Sequence, residues 1–69
     1  MKEENKMTNT NEIMNNWKEY TNTNNVKEWY ELNDLDGSGY DTECQIQWFC
    51  EEYNYNYDVY NYLYKSCFN

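Results

Sequence analysis

The sequence predicts a mainly α-helical domain, three to four short helices packed around an aromatic core. Three observations carry that expectation. Apolar residues recur at spacings of three and four in successive segments, which is the period of a helix with one buried face. The chain contains no proline to interrupt them. Its aliphatic inventory is thin (Ile13, Val26, Leu32, Leu35, Ile46, Val59 and Leu63, with Met14 nearby), whereas 3 Trp, 9 Tyr and 2 Phe are available. Rings must therefore supply most of the burial, each needing a partner for its polar tip.

The elements follow in order along the chain. Residues 1–9, "MKEENKMTN", are polar and unpatterned and are expected to form a flexible N-terminus ahead of a single small domain at 10–69. From Thr10 or Asn11 onward, Ile13, Met14, Trp17 and Tyr20 stand at helical spacing, with Asn11 as the expected cap. "TNTNN" at 21–25 reads as a linker whose side chains compete for backbone hydrogen bonds. Val26, Trp29 and Tyr30 fall at i, i+3 and i+4, which suits a second short helix from about Asn25 to Leu32. After the Gly-rich loop, Thr42 and Gln45 have the spacing of a capping box. Ile46, Phe49, Cys50 and Tyr53 then mark the clearest helical stripe, over 42–53. The last segment, "YNYNYDVYNYLYKSCF", is readable in two ways. Tyr53, Tyr55 and Tyr57 alternate as a short strand would require, whereas Val59, Tyr60, Leu63, Tyr64 and Cys67 form a helical stripe with Asn56 as cap. A loop at 54–57 and a helix at 58–67 is the favoured reading, with the strand as its alternative.

Composition narrows the function classes. A domain of 69 residues buries only about 60% of the surface its unfolded chain exposes, so the core is small. The chain has no His and no Arg, hence neither the commonest general base nor a guanidinium to clamp an oxyanion. Ser38 and Ser66 have no activating base within sequence reach. Catalysis is therefore not expected, and no catalytic residue is assigned. The net charge of -8 is uneven: residues 1–27 are balanced, and residues 28–69 hold nine acids against Lys65 alone. That surface repels nucleic acid and anionic membrane and attracts basic protein surfaces. Cys44, Cys50 and Cys67 have neither CxxC spacing nor a histidine to complete a zinc site, so free thiols in a reducing, cytoplasmic setting are expected. No signal peptide or membrane span is legible.

The most specific chemistry lies in "NDLDGSGYDTECQ", residues 33–45. With Asp34 as the first position, Asp36 is third, Ser38 fifth and Gly39 sixth, and helices are expected on both sides. This arrangement resembles an EF-hand, a calcium loop between two helices. The resemblance implies a weak calcium site at Asp34, Asp36, Ser38, the Tyr40 carbonyl, Thr42 and Gln45. It departs from the family at Gln45, which offers one neutral oxygen where that family has a bidentate Glu. It departs again at Asp41, where the family is apolar, and no second such loop occurs in the chain. The competing reading needs no metal: Asp-Gly and Ser-Gly simply turn the chain.

A second constellation lies on the 42–53 helix. Opposite its apolar stripe stand Cys44, Trp48, Glu51 and Glu52, an aromatic ringed by carboxylates and suited to anchoring a protein partner, the alternative being that the first or the last helix covers Trp48. Glu43, Trp48, Glu51, Glu52 and Asp58, together with the loop acids, form the expected protein-binding set. Carboxylates one helical turn apart, about 6 Å along the axis, can imitate a row of phosphates. In size, acidity and lack of catalytic groups the chain is similar to phage-encoded antirestriction and anti-CRISPR proteins, and its Asn, Lys and Tyr excess fits an AT-rich genome. The sequence thus points to a small acidic binding or inhibitory module meeting a basic, nucleic-acid-handling protein surface in a host cytoplasm. It would be dimeric or partner-stabilised, with no direct nucleic-acid or membrane contact and no cofactor. The weak calcium module is the alternative.

Overall fold

A computed structural model describes residues 9–68. The expected flexible N-terminus, apart from Asn9, lies outside these residues. Within the described residues four helices follow one another: α1 (Thr10–Thr21), α2 (Val26–Asn33), α3 (Tyr40–Glu52) and α4 (Tyr57–Phe68). The mainly helical class expected from the periodicity is therefore what the chain adopts. α2, α3 and α4 pack on one another pairwise, and α1 closes the core through its rings.

α1 starts two residues earlier than Asn11 as cap would allow. Asn9 is the cap, its side-chain oxygen accepting from the amides of Asn11 at 2.7 Å and Glu12 at 3.4 Å. In an Asn-rich segment several residues could cap, and the burial of Ile13 and Trp17 decides which one does. The helix stops at Asn22, which takes the left-handed conformation (φ 62°) and returns its amide to the Lys18 carbonyl. Trp17 is fully buried, and its indole N–H donates to Thr23 Oγ1 at 3.1 Å. The Thr21 hydroxyl donates to the Trp17 carbonyl at 2.9 Å. The two threonine hydroxyls share a 2.7 Å hydrogen bond, and Thr23 Oγ1 also lies 3.4 Å from the Asn25 carbonyl. Thr21 and Thr23 thus form a partly buried hydrogen-bond network under the largest ring of the core.

The reciprocal cap expected at Thr42 and Gln45 occurs at α2 instead. Asn25 accepts from the Glu28 amide at 2.8 Å, and Glu28 reaches back to the Asn24 amide at 3.1 Å. Thr42 lies inside α3, which begins at Tyr40 after Gly39 and has no side-chain cap of its own at Gly39. The helix starts early because a carboxylate from outside meets it, as described below.

The tyrosine tract contains no strand. α3 ends in a Schellman motif: Asn54 is left-handed (φ 59°), its amide bonds the Glu51 carbonyl at 3.3 Å, and the Tyr55 amide bonds the Cys50 carbonyl at 2.8 Å. That reversal breaks the alternation that a strand would need. Asn56 then caps α4, accepting from Val59 N at 3.2 Å, as its position suggests.

The core comprises Ile13, Trp17, Val26, Ile46, Phe49, Cys50, Val59 and Leu63. Phe49 is its hub, meeting Trp17 edge-on at 5.2 Å between centroids, and also Tyr20, Tyr53 and Tyr55. Tyr55 is fixed in turn by the Asn16 amide, which donates to its hydroxyl at 2.7 Å. A second run of rings, Tyr57, Tyr60, Tyr64 and Phe68, climbs one face of α4 and ends edge-on against Tyr30 of α2. Two aliphatic residues expected to help fill the core do not: Leu32 is 62% exposed and Leu35 92%. Both sit where α2 gives way to the loop, beyond the reach of the α3–α4 packing. All three cysteines are free, Cys50 buried and Cys44 and Cys67 half-buried. Burial pushes the Cys50 thiol up to about 11.

Candidate functional site

The loop between α2 and α3 is built around Asp34. Its carboxylate is buried although it terminates α2. Oδ2 accepts from the Thr42 hydroxyl at 2.9 Å and from the Thr42 amide at 3.3 Å. This supplies from eight residues away the acceptor that Gly39 cannot offer to the first turn of α3. The other oxygen, Oδ1, is buried with no hydrogen-bond partner. Around this anchor the chain turns tightly. The Gly37 amide bonds the Asp34 carbonyl at 3.1 Å. The Tyr30 hydroxyl donates to the Gly37 carbonyl at 2.8 Å. Asp36 accepts from the Ser38 amide at 3.0 Å, and Ser38 Oγ from the Tyr40 amide at 3.2 Å. The hydrogen bond from the Ser38 amide is the main cause that holds the Asp36 carboxyl below its ordinary value.

The six residues implied by the EF-hand resemblance separate into two halves. Asp34, Asp36 and Ser38 share the turn. Tyr40, Thr42 and Gln45 are wound into α3. As the first helical residue, Tyr40 has its carbonyl committed to the helix ladder, the Thr42 hydroxyl is given to Asp34, and Gln45 lines a groove on the flank of α3. Among the described residues no group of three His, Cys, Asp or Glu side chains is placed to hold a metal ion.

The protein-binding set also divides. Trp48 is 57% exposed, so neither α1 nor α4 covers it. Glu51 and Glu52 are exposed one turn further on, and Asp58 is exposed in the first turn of α4. Glu43 is half-buried on the other side of α3, close enough to Tyr60 to add to the rise of that phenol, which burial mainly causes. Glu51 borders a groove between α3 and α4 together with Tyr57 and Tyr60, and accepts from the Gln47 amide at 3.3 Å. Trp48 borders a different groove, of about 420 Å³, between α3 and α2. Its walls include Trp29 from α2 and Tyr40, Asp41, Cys44 and Gln45 from α3. Trp29 and Tyr40 did not figure in the expected protein-binding set, and Asp41 entered it only as one of the loop acids. The signal that ties Asp41 to Trp48 was available: Asp41, Gln45, Trp48 and Glu52 recur at spacings of four, three and four, a polar-edged stripe on the clearest helix.

Comparison with known proteins gives no match, whether among protein-family models, curated proteins or solved structures. Among the described residues no helix is long and apolar enough to cross a membrane.

Proposed function

We propose that the chain is a non-enzymatic protein-binding module, inhibitory in kind, that docks on a basic protein surface through the outer face of α3. The observation that carries this reading is the exposure of Trp48. In a chain so short of apolar material a tryptophan left 57% open withdraws a large area from the core, and Glu51 and Glu52 lie open beside it. Aromatic anchors within a charged rim are the anatomy of binding hot spots, the carboxylates raising the encounter rate and excluding acidic partners. A surface of this sign also suits a competitor for a site that accepts nucleic acid.

A lysine-rich peptide labelled for anisotropy tests this directly. Binding should weaken by about tenfold or more between low and moderate salt, as screening predicts. Trp48→Ala should cost a comparable factor with helicity unchanged. Binding indifferent to salt, or to Trp48→Ala, would overturn the reading.

A second reading rests on a separate observation, the unpartnered buried Oδ1 of Asp34 beside the Asp36 carboxyl. A buried carboxylate oxygen without a donor is expensive, and a hard divalent cation is one group that satisfies it. Calcium bound there through Asp34 and Asp36 would order the loop, at the weak end of the range, about 10⁻⁴ to 10⁻³ M. Thermal melts in EDTA, Ca²⁺ and Mg²⁺ at fixed ionic strength decide it. A Ca²⁺-specific rise in midpoint abolished by Asp36→Asn supports the site, and equal shifts with both ions reject it.

A further inference from the structure

We infer that the groove between α2 and α3 is the receptor for one arginine side chain of the basic partner, which lies flat against Trp48, Trp29 and Tyr40 and pairs with Asp41. The inference rests on the docking face proposed above and assigns its anchoring subsite. Trp48 and Tyr40 are 57% and 69% exposed, Trp29 is half-buried, and all three border the same groove. Among the described residues none of them takes part in the ring–ring contacts that tie the core and the α4 ladder together; Trp29 packs one side on the core, and the rings of Trp48 and Tyr40 are open to a ligand. The comparable groove between α3 and α4 is different. Its Tyr57 and Tyr60 already stack on each other at 5.7 Å, and its Glu51 already accepts from Gln47.

The chemistry of the walls selects the occupant. A purely apolar side chain would desolvate Asp41 and Gln45 with nothing in return. An anion would meet Asp41 inside a strongly acidic surface. A cation is attracted both by the carboxylate and by the ring faces, and among the described residues no lysine lines the groove to neutralise it. Between the two cationic side chains the planar guanidinium fits better, because it stacks on aromatic faces and can give two parallel hydrogen bonds to one carboxylate, which an ammonium cannot do. Glu52 continues the Asp41–Trp48 stripe about 16 Å from Asp41 along the helix axis, where it can meet a second basic residue of the same segment.

The test uses a short lysine-rich peptide with one central arginine, against the same peptide carrying citrulline or lysine at that position. Tryptophan fluorescence reports binding, with Trp17 as a buried constant. The arginine peptide should bind about tenfold tighter than the citrulline peptide and several-fold tighter than the all-lysine one. Tyr40→Ala and Asp41→Asn, both at exposed positions, should each erase that preference without changing helicity. Bound arginine peptide should also slow alkylation of Cys44, which lines the groove, and leave that of Cys67 unchanged. Equal binding of all three peptides overturns the arginine subsite, as does a preference that survives Tyr40→Ala and Asp41→Asn. If such binding is nonetheless salt-sensitive and lost in Glu51→Gln/Glu52→Gln, the docking face stands and only the subsite falls. If none of the peptides binds, both fall.

Discussion

At the scale of single residues, Asp34 and Thr42 decide how the loop closes. A carboxylate that is only 6% exposed has exchanged its water for two donors, both from Thr42. The hydroxyl provides the shorter bond, and hydrogen bonds to a charged group are worth about 1.5–3 kcal/mol when their loss leaves that charge buried. Thr42→Val keeps the shape of the side chain and removes only the donor, so it should lower unfolding free energy by about that amount. Thr42→Ser keeps the donor and gives up one buried methyl, a loss nearer 1 kcal/mol. Urea denaturation of the two variants separates the terms. A valine variant as stable as the serine one would mean that Asp34 needs no hydroxyl from α3, and the early start of that helix would then need another cause.

At the scale of elements, the α2–α3 turn depends on two glycines that are not equivalent. Both have positive φ, 74° at Gly37 and 88° at Gly39. A Cβ at Gly37 would find its nearest neighbour, the Tyr30 hydroxyl oxygen, 3.8 Å away, whereas one at Gly39 would stand 3.0 Å from the ring of Phe68. Gly37→Ala should therefore cost only the left-handed strain, about 1 kcal/mol, and Gly39→Ala that strain plus displacement of the last ring of the α4 ladder, about 2–3 kcal/mol. Thermal melts that reverse this order would place the strain elsewhere. The same element shows what was legible beforehand. Ile13 and Trp17, and Ile46, Phe49 and Cys50, fall at helical spacing because burial of one face is written into the period, and the helices stand where the period puts them. The caps were less legible, since Asn9 and Asn11 are equally good cappers in isolation, and the partner of Thr42 is eight residues away rather than three. Trp48 could be read as outward from its place opposite the apolar stripe. That Trp29 forms the facing wall could not, because the period of one helix does not say which flank of its neighbour lies beside it.

At the scale of the whole molecule, charge sets the conditions under which the fold and its face operate. Residues 9–68 hold eleven carboxylates against Lys18, Lys27 and Lys65. Compaction brings those charges together in a domain too small to separate them by more than one or two Debye lengths at low salt, so self-repulsion opposes folding. The same unbalanced field is what would draw in a basic partner, and a chain that neutralised it internally would be more stable and bind less. Monovalent salt should therefore stabilise the free protein: between about 10 and 300 mM NaCl at neutral pH the melting midpoint should rise by roughly 3–6 °C, equivalent to somewhat under 1 kcal/mol in a domain this size. KCl should act alike, because screening is indifferent to which monovalent cation supplies it. The lysine-rich peptide should reproduce the rise at far lower concentration and lose the effect as salt is added, since it removes the same repulsion by binding. A midpoint that falls with salt would show that attraction around the three lysines outweighs repulsion among the acids, and the acidic surface would then be a stabilising feature of the fold instead of a field held open for a partner.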